Sequence, residues 1–456
     1  MGSTGMQVTE TSTDGLKHEF KIVIPAADIT ERIDKRLIEI GQQTRLPGFR
    51  PGKAPMSVLK TRFLPHVRGE VVQDAVNQGA DEALKDRNLR PALQPKVEIT
   101  AFDEGKDLEY TLAVEALPEI EPMDFTTIAL ERWKPQVPDN EVEESLKRLA
   151  DRQRKDEKVD RETAKGDLVV IDFKGEIDGK EFPGGAASDY RLEIGSGGFI
   201  PGFEDQLEGA KAGEERTVNV TFPADYGVAD LSGKPAKFAV TVKEVRAFQD
   251  QPIDNSLAEA LGMENIDELR KMVKEQNERQ YGDLARQRLK RQLLDQLAKG
   301  HSFPVPPGMV DGEFETIWKQ YEFQRERAKE SGVTDYNEGK SDDQVRAEFH
   351  AMAERRVRLG LLLSEVARRH NISVTQDEIN QALVAEARRF PGQERKVVEY
   401  YRNEPGAIEG LRAPILENKV VDHILGSAKV SERTVPAADL VAAEEEDAKG
   451  HDHGAE

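Results

Sequence analysis

Apolar residues recur along this chain at two spacings, and the spacing changes with position. Phe20, Ile22 and Ile24 alternate with polar residues, which predicts a strand. Ile29, Ile33, Leu37 and Ile40 follow at helical intervals. A second helix is expected over about 66–89, and strands over about 96–102 and 108–117 would close a small sheet with helices on one face. Alternating runs return at 168–173 and 238–245, flanking glycine-rich turns, and predict a small antiparallel β domain. Beyond residue 250 the period is helical: Val310, Phe314, Ile317 and Tyr321 form one stripe, and Val345, Phe349, Met352, Leu359, Leu363 and Val366 another. Thr375 and Glu378 are spaced as a capping box ahead of Ile379, Leu383 and Phe390. The helical segment 264–299 is nearly all polar over 276–283, so it must project or pack along a narrow seam.

Breakers divide these elements. Pro118, Pro122, Pro135 and Pro138 mark a connector, in which Asp139 can cap a helix carrying Val142, Leu146 and Leu149. The charged stretch 151–163 reads as a solvated hinge or exposed helix end. The expected layout is therefore 6–117, an N-terminal α/β domain; 118–165, a linker and helical connector; 166–246, an inserted β domain; 250–431, a helical body; and 432–456, an acidic disordered tail. The fold class is multidomain α+β.

Charge and composition narrow the function. Lys+Arg number 65 and Asp+Glu 86, so the net charge is 65 − 86 = −21 and any contact with phosphate must come from a local basic patch. With no cysteine there is no disulfide, thiolate metal site or cysteine nucleophile, which fits a reducing compartment. No apolar run approaches the roughly 18–20 residues of a membrane span, and the polar start shows no secretory leader, Met1–Gly5 reading as a tag or upstream start before Met6. A cytoplasmic protein without membrane contact is expected. No Gly-x-x-x-x-Gly-Lys-[Ser/Thr] run is present, and the histidines are too isolated for a dyad or triad. His451 and His453 in the polar tail are better read as solvated than as metal ligands. Neither cofactor nor metal is expected.

One segment runs against the acidic balance. From Ile40 to Gly69 there is no acidic residue, while Arg45, Arg50, Lys53, Lys60, Arg62 and Arg68 fall within these 30 positions. At its centre lies Gly48-Phe49-Arg50-Pro51-Gly52-Lys53-Ala54-Pro55, whose glycines and prolines favour an exposed turn. One aromatic and two cations on such a turn suit an RNA–protein surface, although a solvated loop with Phe49 folded into its own core is equally compatible with the composition. The motif resembles the ribosome-docking signature of the bacterial trigger factor family. That resemblance implies that Gly48, Phe49, Arg50, Gly52 and Lys53 form the ribosome-binding loop, with Phe49, Arg50 and Lys53 making contact beside the exit of the large subunit. Pro51 stands where many members carry lysine, removing one cation from the tip and stiffening the turn.

The glycine-rich segment carries a second motif set. Residues 166–246 hold 13 of the 36 glycines and eight Phe or Tyr residues. Val170-Ile171-Asp172-Phe173, Asp178-Gly179-Lys180-Glu181-Phe182, Ile200-Pro201-Gly202-Phe203-Glu204, Phe222-Pro223-Ala224-Asp225-Tyr226 and the run from Phe238 resemble, in order, prolyl isomerases of the FK506-binding type. Rotation about an X–Pro bond faces a barrier of roughly 18–20 kcal/mol from amide resonance, between ground states that differ by little. Such an enzyme needs an apolar cleft that favours the twisted amide over either planar form, and no nucleophile or metal. The resemblance places Phe203 at the cleft floor, with Phe173, Phe182, Tyr190, Phe199, Ile200, Tyr226 and Phe238 around it and the Tyr226 hydroxyl facing a substrate carbonyl. Any one of these rings alone reads equally well as core. Pro183 replaces the aspartate that stand-alone isomerases carry after the residue matching Phe182, so a polar contact to drug-type ligands is absent.

The trigger factor resemblance continues, on softer motifs, at 303–310 and 415–425. It implies a helical body with two arms that hold nascent and unfolded polypeptides through weak, separated contacts and release them without ATP. It further implies docking on protein and rRNA near the exit tunnel, and a homodimer off the ribosome. The whole reads as a ribosome-associated chaperone with peptidyl-prolyl cis-trans isomerase activity. The alternatives are a free multidomain isomerase, against which the basic loop argues, and a peptide-binding chaperone whose β domain lacks catalysis.

Overall fold

The computed structural model describes residues 5–44, 46–47, 49, 52–103, 105–223, 226, 231–330, 336–337 and 339–451, without the side chains of 330, 405 and 447–451. In chain order the elements are β1 (Gln7–Asp14), β2 (Lys17–Ile24), α1 (Ala26–Gln43), α2 (Met56–Asp86), β3 (Lys96–Ala101), β4 (Leu108–Glu115), β5 (Ala129–Gln136), α3 (Asp139–Gln153) and β6 (Asp156–Val159). Then come β7 (Leu168–Ile177), β8 (Lys180–Glu193), β9 (Glu215–Thr221), β10 (Pro235–Phe248), α4 (Asn255–Ala260), α5 (Ile266–Gly300) and α6 (Pro307–Glu330). They end with α7 (Asp342–Arg369), α8 (Gln376–Arg388), α9 (Glu394–Asn403), α10 (Pro405–Ser427), β11 (Lys429–Pro436) and α11 (Ala437–His451). Two compact units result: Met1–Ile128 with Leu294–Trp318 and Arg346–Ser427, and Ala129–Leu293 with Lys319–Val345 and Ala428–Glu456.

In the first unit an antiparallel sheet of order β1-β2-β4-β3 covers α1 and α2. The alternation that predicted β2 works as expected: Phe20, Ile22 and Ile24 face Val72, Ala75 and Val76 of α2, together with Tyr110 and Leu112 of β4. Helix α2 starts earlier than the sequence suggested, at Met56, and runs through Pro65. Proline removes one helical hydrogen bond, but Leu59 before it and Val67 and Val71 after it share one buried cluster with Leu37 and Leu46. Strand β1 has no apolar alternation and was not expected; backbone pairing to β2 holds it.

The helical part of this unit follows its stripes. Trp318 packs edge-on to Phe349 at 6.1 Å, and the Thr375–Glu378 capping box forms, with Lys419 of α10 bound to Glu378 at 2.7 Å. The segment after β4 is tied to the helices: Arg369 donates to the Ile120 carbonyl at 2.7 Å, and the Met123 N–H donates to His301 Nε2 at 3.1 Å. Buried Glu365 receives Arg368 and Arg369, with Arg90 at 3.9 Å. The Arg368 hydrogen bond, against the opposing effect of burial, holds Glu365 down at about 2.

In the second unit β5 and β11 form a parallel two-stranded ribbon. Val142, Leu146 and Ala150 of α3 pack with Leu257 of α4 and with Leu269 and Val273 of α5. Along the part of α5 in this unit the buried positions Leu269 and Val273, then Ala285, Leu289 and Leu293, recur every four residues, the narrow seam its polar middle required. The five-stranded sheet of this unit has order β6-β10-β7-β8, with β9 also on β10. Two expectations are corrected. The charged stretch 151–163 is no hinge: its first residues are the exposed helix end of α3, which closes at Gln153, and β6 then joins the sheet edge, Val159 opposite Val245. The tail from residue 432 is not disordered over its described part, which completes β11 and forms α11, with Val435 and Leu440 buried. Averaged acidity had hidden these two anchors.

Candidate functional site

The aromatic set converges on the face of β7 and β10. Their antiparallel register places Val240 opposite Phe173 and Phe238 opposite Gly175. A side chain at Gly175 would put its Cβ 2.4 Å from Phe238 Cε1 and 3.0 Å from Phe182 Cζ, so only glycine lets both rings lie across the strand. Phe203 is fully buried beneath them. Its ring centroid lies 4.2 Å from Phe199, 5.3 Å from Phe238 and 6.2 Å from Phe173, mostly edge to face. Phe182 lies 6.0 Å from Phe238. Tyr190 meets Phe173 at 5.7 Å and Phe199 at 5.8 Å. All eight expected cleft residues therefore belong to one neighbourhood, Tyr226 through Phe222 at 4.7 Å and Phe222 through Phe182 at 5.8 Å, and half-buried Ile200 on the same core.

Floor and rim differ in exposure. Phe203 and Phe238 are buried, whereas Tyr190 is 40% and Tyr226 39% exposed. Tyr190 is aimed by a bulge: β8 spends four residues, Ala187 to Tyr190, where β7 spends three, Ile171 to Phe173, and Asp189 takes φ +55°. The Asp189 N–H donates to Asp172 at 2.8 Å, and Lys243 bridges Asp172 and Asp189, both at 2.8 Å. The Lys243 hydrogen bond holds the Asp172 carboxyl below its ordinary range. Among the described residues the Ile200 N–H has no hydrogen-bond partner. Positions 224–225 and 227–230, which flank Tyr226, lie outside the described residues. A cavity of about 590 Å³ beside the cluster is lined by Glu176, Asp178, Pro201, Asn219 and Lys237. Its wall is mixed, with Val220, Pro235 and Ala236 beside the charged groups, and includes none of the expected cleft residues.

Sequence reasoning missed Phe222, Gly175 and Glu204. Phe222 was within a quoted motif, and its spacing from Tyr226 was the available signal. The role of Gly175 follows from a cross-strand register that no local pattern encodes.

The basic loop is rooted in the first unit. Leu46 is buried among Leu37, Leu59 and Val67, the Gly52 N–H donates to the Gly41 carbonyl at 2.9 Å, and the Phe49 N–H to the Leu46 carbonyl at 3.1 Å. Phe49 does not fold into its own core: it is 39% exposed, and Lys53 is exposed as well. Gly48, Arg50 and Pro51 lie outside the described residues, as do Asp452, His453 and the side chain of His451. Other cations of the stretch are engaged, Lys60 with Asp34 at 2.8 Å and Arg68 over the Phe102 ring at 4.3 Å.

The antiparallel sheet and its packed cluster of Phe and Tyr rings fit a prolyl isomerase of the FK506-binding class. Residues 159–243 match the family described as FKBP-type peptidyl-prolyl cis-trans isomerase. Residues 6–149 match the family described as bacterial trigger factor protein, and residues 265–426 its C-terminus. The chain is 51% identical over 444 residues to a trigger factor of Rhodospirillum centenum, covering 97% of this chain and 98% of that one. It is 50% identical over 435 residues to one of Paramagnetospirillum magneticum, covering 95% and 94%. A solved structure of the trigger factor chaperone superposes with TM-score 0.53 at 21% identity, over 92% of this chain and 99% of that one, a likeness of fold. The chain belongs to the trigger factor family. It is a chaperone with a peptidyl-prolyl isomerase domain, and ribosome association and nascent-chain binding are the family's role. Among the described residues no helix is long and apolar enough to cross a membrane.

Proposed function

We propose that the protein works in the cytoplasm, docked on protein and rRNA of the large ribosomal subunit near the exit tunnel, with 6–117 as docking domain, 118–165 as connector, 166–246 as isomerase and 250–431 as chaperone body. Phe49, Arg50 and Lys53 make the contact, and Gly48 and Gly52 shape the turn. The observation that carries this is Phe49, an apolar residue left 39% exposed on a loop whose root is buried, at the centre of a stretch without acidic residues. Co-sedimentation with ribosomes tests it: wild type pellets and Arg50→Ala/Lys53→Ala stays in solution, whereas equal pelleting of both removes docking from the reading.

Isomerisation takes place at the ring cluster. The pyrrolidine ring packs on the outer side of the cluster, against Phe182 and Phe199, over a base formed by buried Phe173, Phe203 and Phe238, and Tyr190 and Tyr226 line the rim. Burial removes water from the amide. The twisted amide has less charge separation than the planar one, so an apolar surface favours it. The Ile200 N–H and the Tyr226 hydroxyl orient the flanking carbonyls. Clients are held by scattered apolar side chains on polar helices and the turn after α8; Phe323, Val384, Phe390 and Tyr400 are 64, 49, 47 and 58% exposed. Off the ribosome such side chains support a homodimer, which sedimentation velocity at micromolar concentration would reveal and a single monomer boundary would refute.

A further inference from the structure

A buried carboxylate with no cation beside it needs an explanation, because desolvating an unpaired charge is costly. Glu204 is 6% exposed, and among the described residues no lysine, arginine or histidine reaches it. Backbone groups surround it instead. Its Oε2 accepts from the Gly195 N–H at 2.8 Å and the Gly197 N–H at 3.0 Å. Its Oε1 accepts from the Phe199 N–H at 3.1 Å and the Ser196 hydroxyl at 3.3 Å. The segment 195–199 thus wraps the carboxylate with alternate N–H groups, those of Gly195, Gly197 and Phe199, turned inward, an anion nest with the anion supplied by the protein. Gly195 and Gly197 take φ +84° and +72°, the left-handed values such wrapping requires.

This segment leads directly into the rim. Phe199 is both a donor to Glu204 and the ring 4.2 Å from Phe203, and Ile200 follows it. The turn closes when the Phe203 N–H donates to the Ile200 carbonyl at 3.0 Å. Consecutive residues therefore organise the cleft: Phe203 provides its floor and Glu204 gathers its rim. Resting on the cleft assigned above, we propose that Glu204 is a positioning residue for the isomerase, an internal anion that holds the 195–199 segment so that Phe199 and the Ile200 N–H stand ready for substrate.

Glu204→Gln is the discriminating change. It keeps volume and shape but turns an amide NH2 toward N–H donors, so the segment loses its template. A loosened rim must be ordered by the substrate, which reduces the binding-competent fraction and raises KM without altering the bound complex. In the full-length chain, with a proline tetrapeptide, KM should rise about tenfold while kcat stays within about twofold. Amide exchange should quicken at Gly195, Gly197 and Phe199 but not at Val242 in the sheet. A role limited to stability would lower the active fraction, reducing apparent kcat with KM unchanged, and that outcome overturns the proposal. So does a variant with wild-type KM. Glu204→Asp, which keeps the charge but withdraws it by one methylene, should fall between the two. If both variants are unfolded at the assay temperature, the carboxylate serves the fold and not the rim, and the proposal is again overturned. Phe203→Ala separates this from the cleft assignment: an unchanged rate there removes the cleft itself, whereas a lost rate with a silent Glu204→Gln removes only the positioning role.

Discussion

Replacing Gly175 by alanine adds a single methyl group to the isomerase sheet and removes nothing, which isolates the packing of the cleft. In an ordinary strand this change is favourable by roughly 0.5–1 kcal/mol, because glycine loses more backbone freedom on folding. Here the new Cβ would lie 2.4 Å from Phe238 Cε1 and 2.8 Å from Cδ1, so the ring must retreat by about 1 Å to reach an ordinary 3.4 Å contact (3.4 − 2.4). It has nowhere to go freely, with Phe203 at 5.3 Å and Phe173 and Phe182 both at 6.0 Å between centroids. Overpacking of this kind costs about 1–3 kcal/mol, so the overlap outweighs the backbone gain and the net effect is a loss of about 1–2 kcal/mol. For a domain of this size that lowers the unfolding midpoint by roughly 5–15 °C. Displacing a cleft wall by about 1 Å can cost up to about a hundredfold in rate, and a fall of at least about tenfold in kcat/KM is expected. The assay is protease-coupled isomerisation of a proline tetrapeptide below the transition, with calorimetry beside it. A variant with wild-type rate and midpoint would refute the cross-strand packing and the cleft built on it.

Two further outcomes follow from the first unit. Glu365 has a folded value of about 2, below the roughly 4.3 of an unfolded glutamate; its stabilisation is complete above that unfolded value and lost as pH falls toward 2. Because Arg368 and Arg90 are more than half exposed, the contribution is discounted for solvent screening to no more than about 2 kcal/mol; the stability gap between wild type and Glu365→Gln should close between about pH 5 and pH 2, and a flat gap would contradict it. Leu46→Ala cuts the root of the basic loop at a cost of about 2–3 kcal/mol; ribosome pelleting should weaken while tetrapeptide isomerisation, housed in another core, stays unchanged, and unaltered pelleting would show that the root does not shape the loop.

Periodicity made the two sheets legible. Phe20, Ile22 and Ile24 announced β2, and the alternation around Phe173 and Phe238 announced β7 and β10, because burial on one face imprints itself on sequence. Strands β1, β6 and β11 were not legible, since backbone pairing holds them and most of their side chains face water. The rings of the cleft could be listed from motifs, but their order from floor to rim could not. The part played by Glu204 resides in the N–H groups of its neighbours, which every residue but proline carries, so no side-chain pattern points to it. Gly175 stayed silent for a related reason: its importance is set by a residue 63 positions away, at Phe238.

The ribbon of β5 and β11 has a consequence for how this molecule is made. Ser431 Oγ donates to the Leu130 carbonyl at 3.2 Å across 301 residues of sequence, and the ladder around it runs parallel from Lys429–Ala129 to Pro436–Gln136. While translation proceeds, β5 waits as an unmatched edge until its mate has been polymerised, long after the β2 and β7 sheets have every strand they need. Closing so wide a loop is slow. A helper of newborn proteins thus passes through an extended, half-zipped infancy of its own.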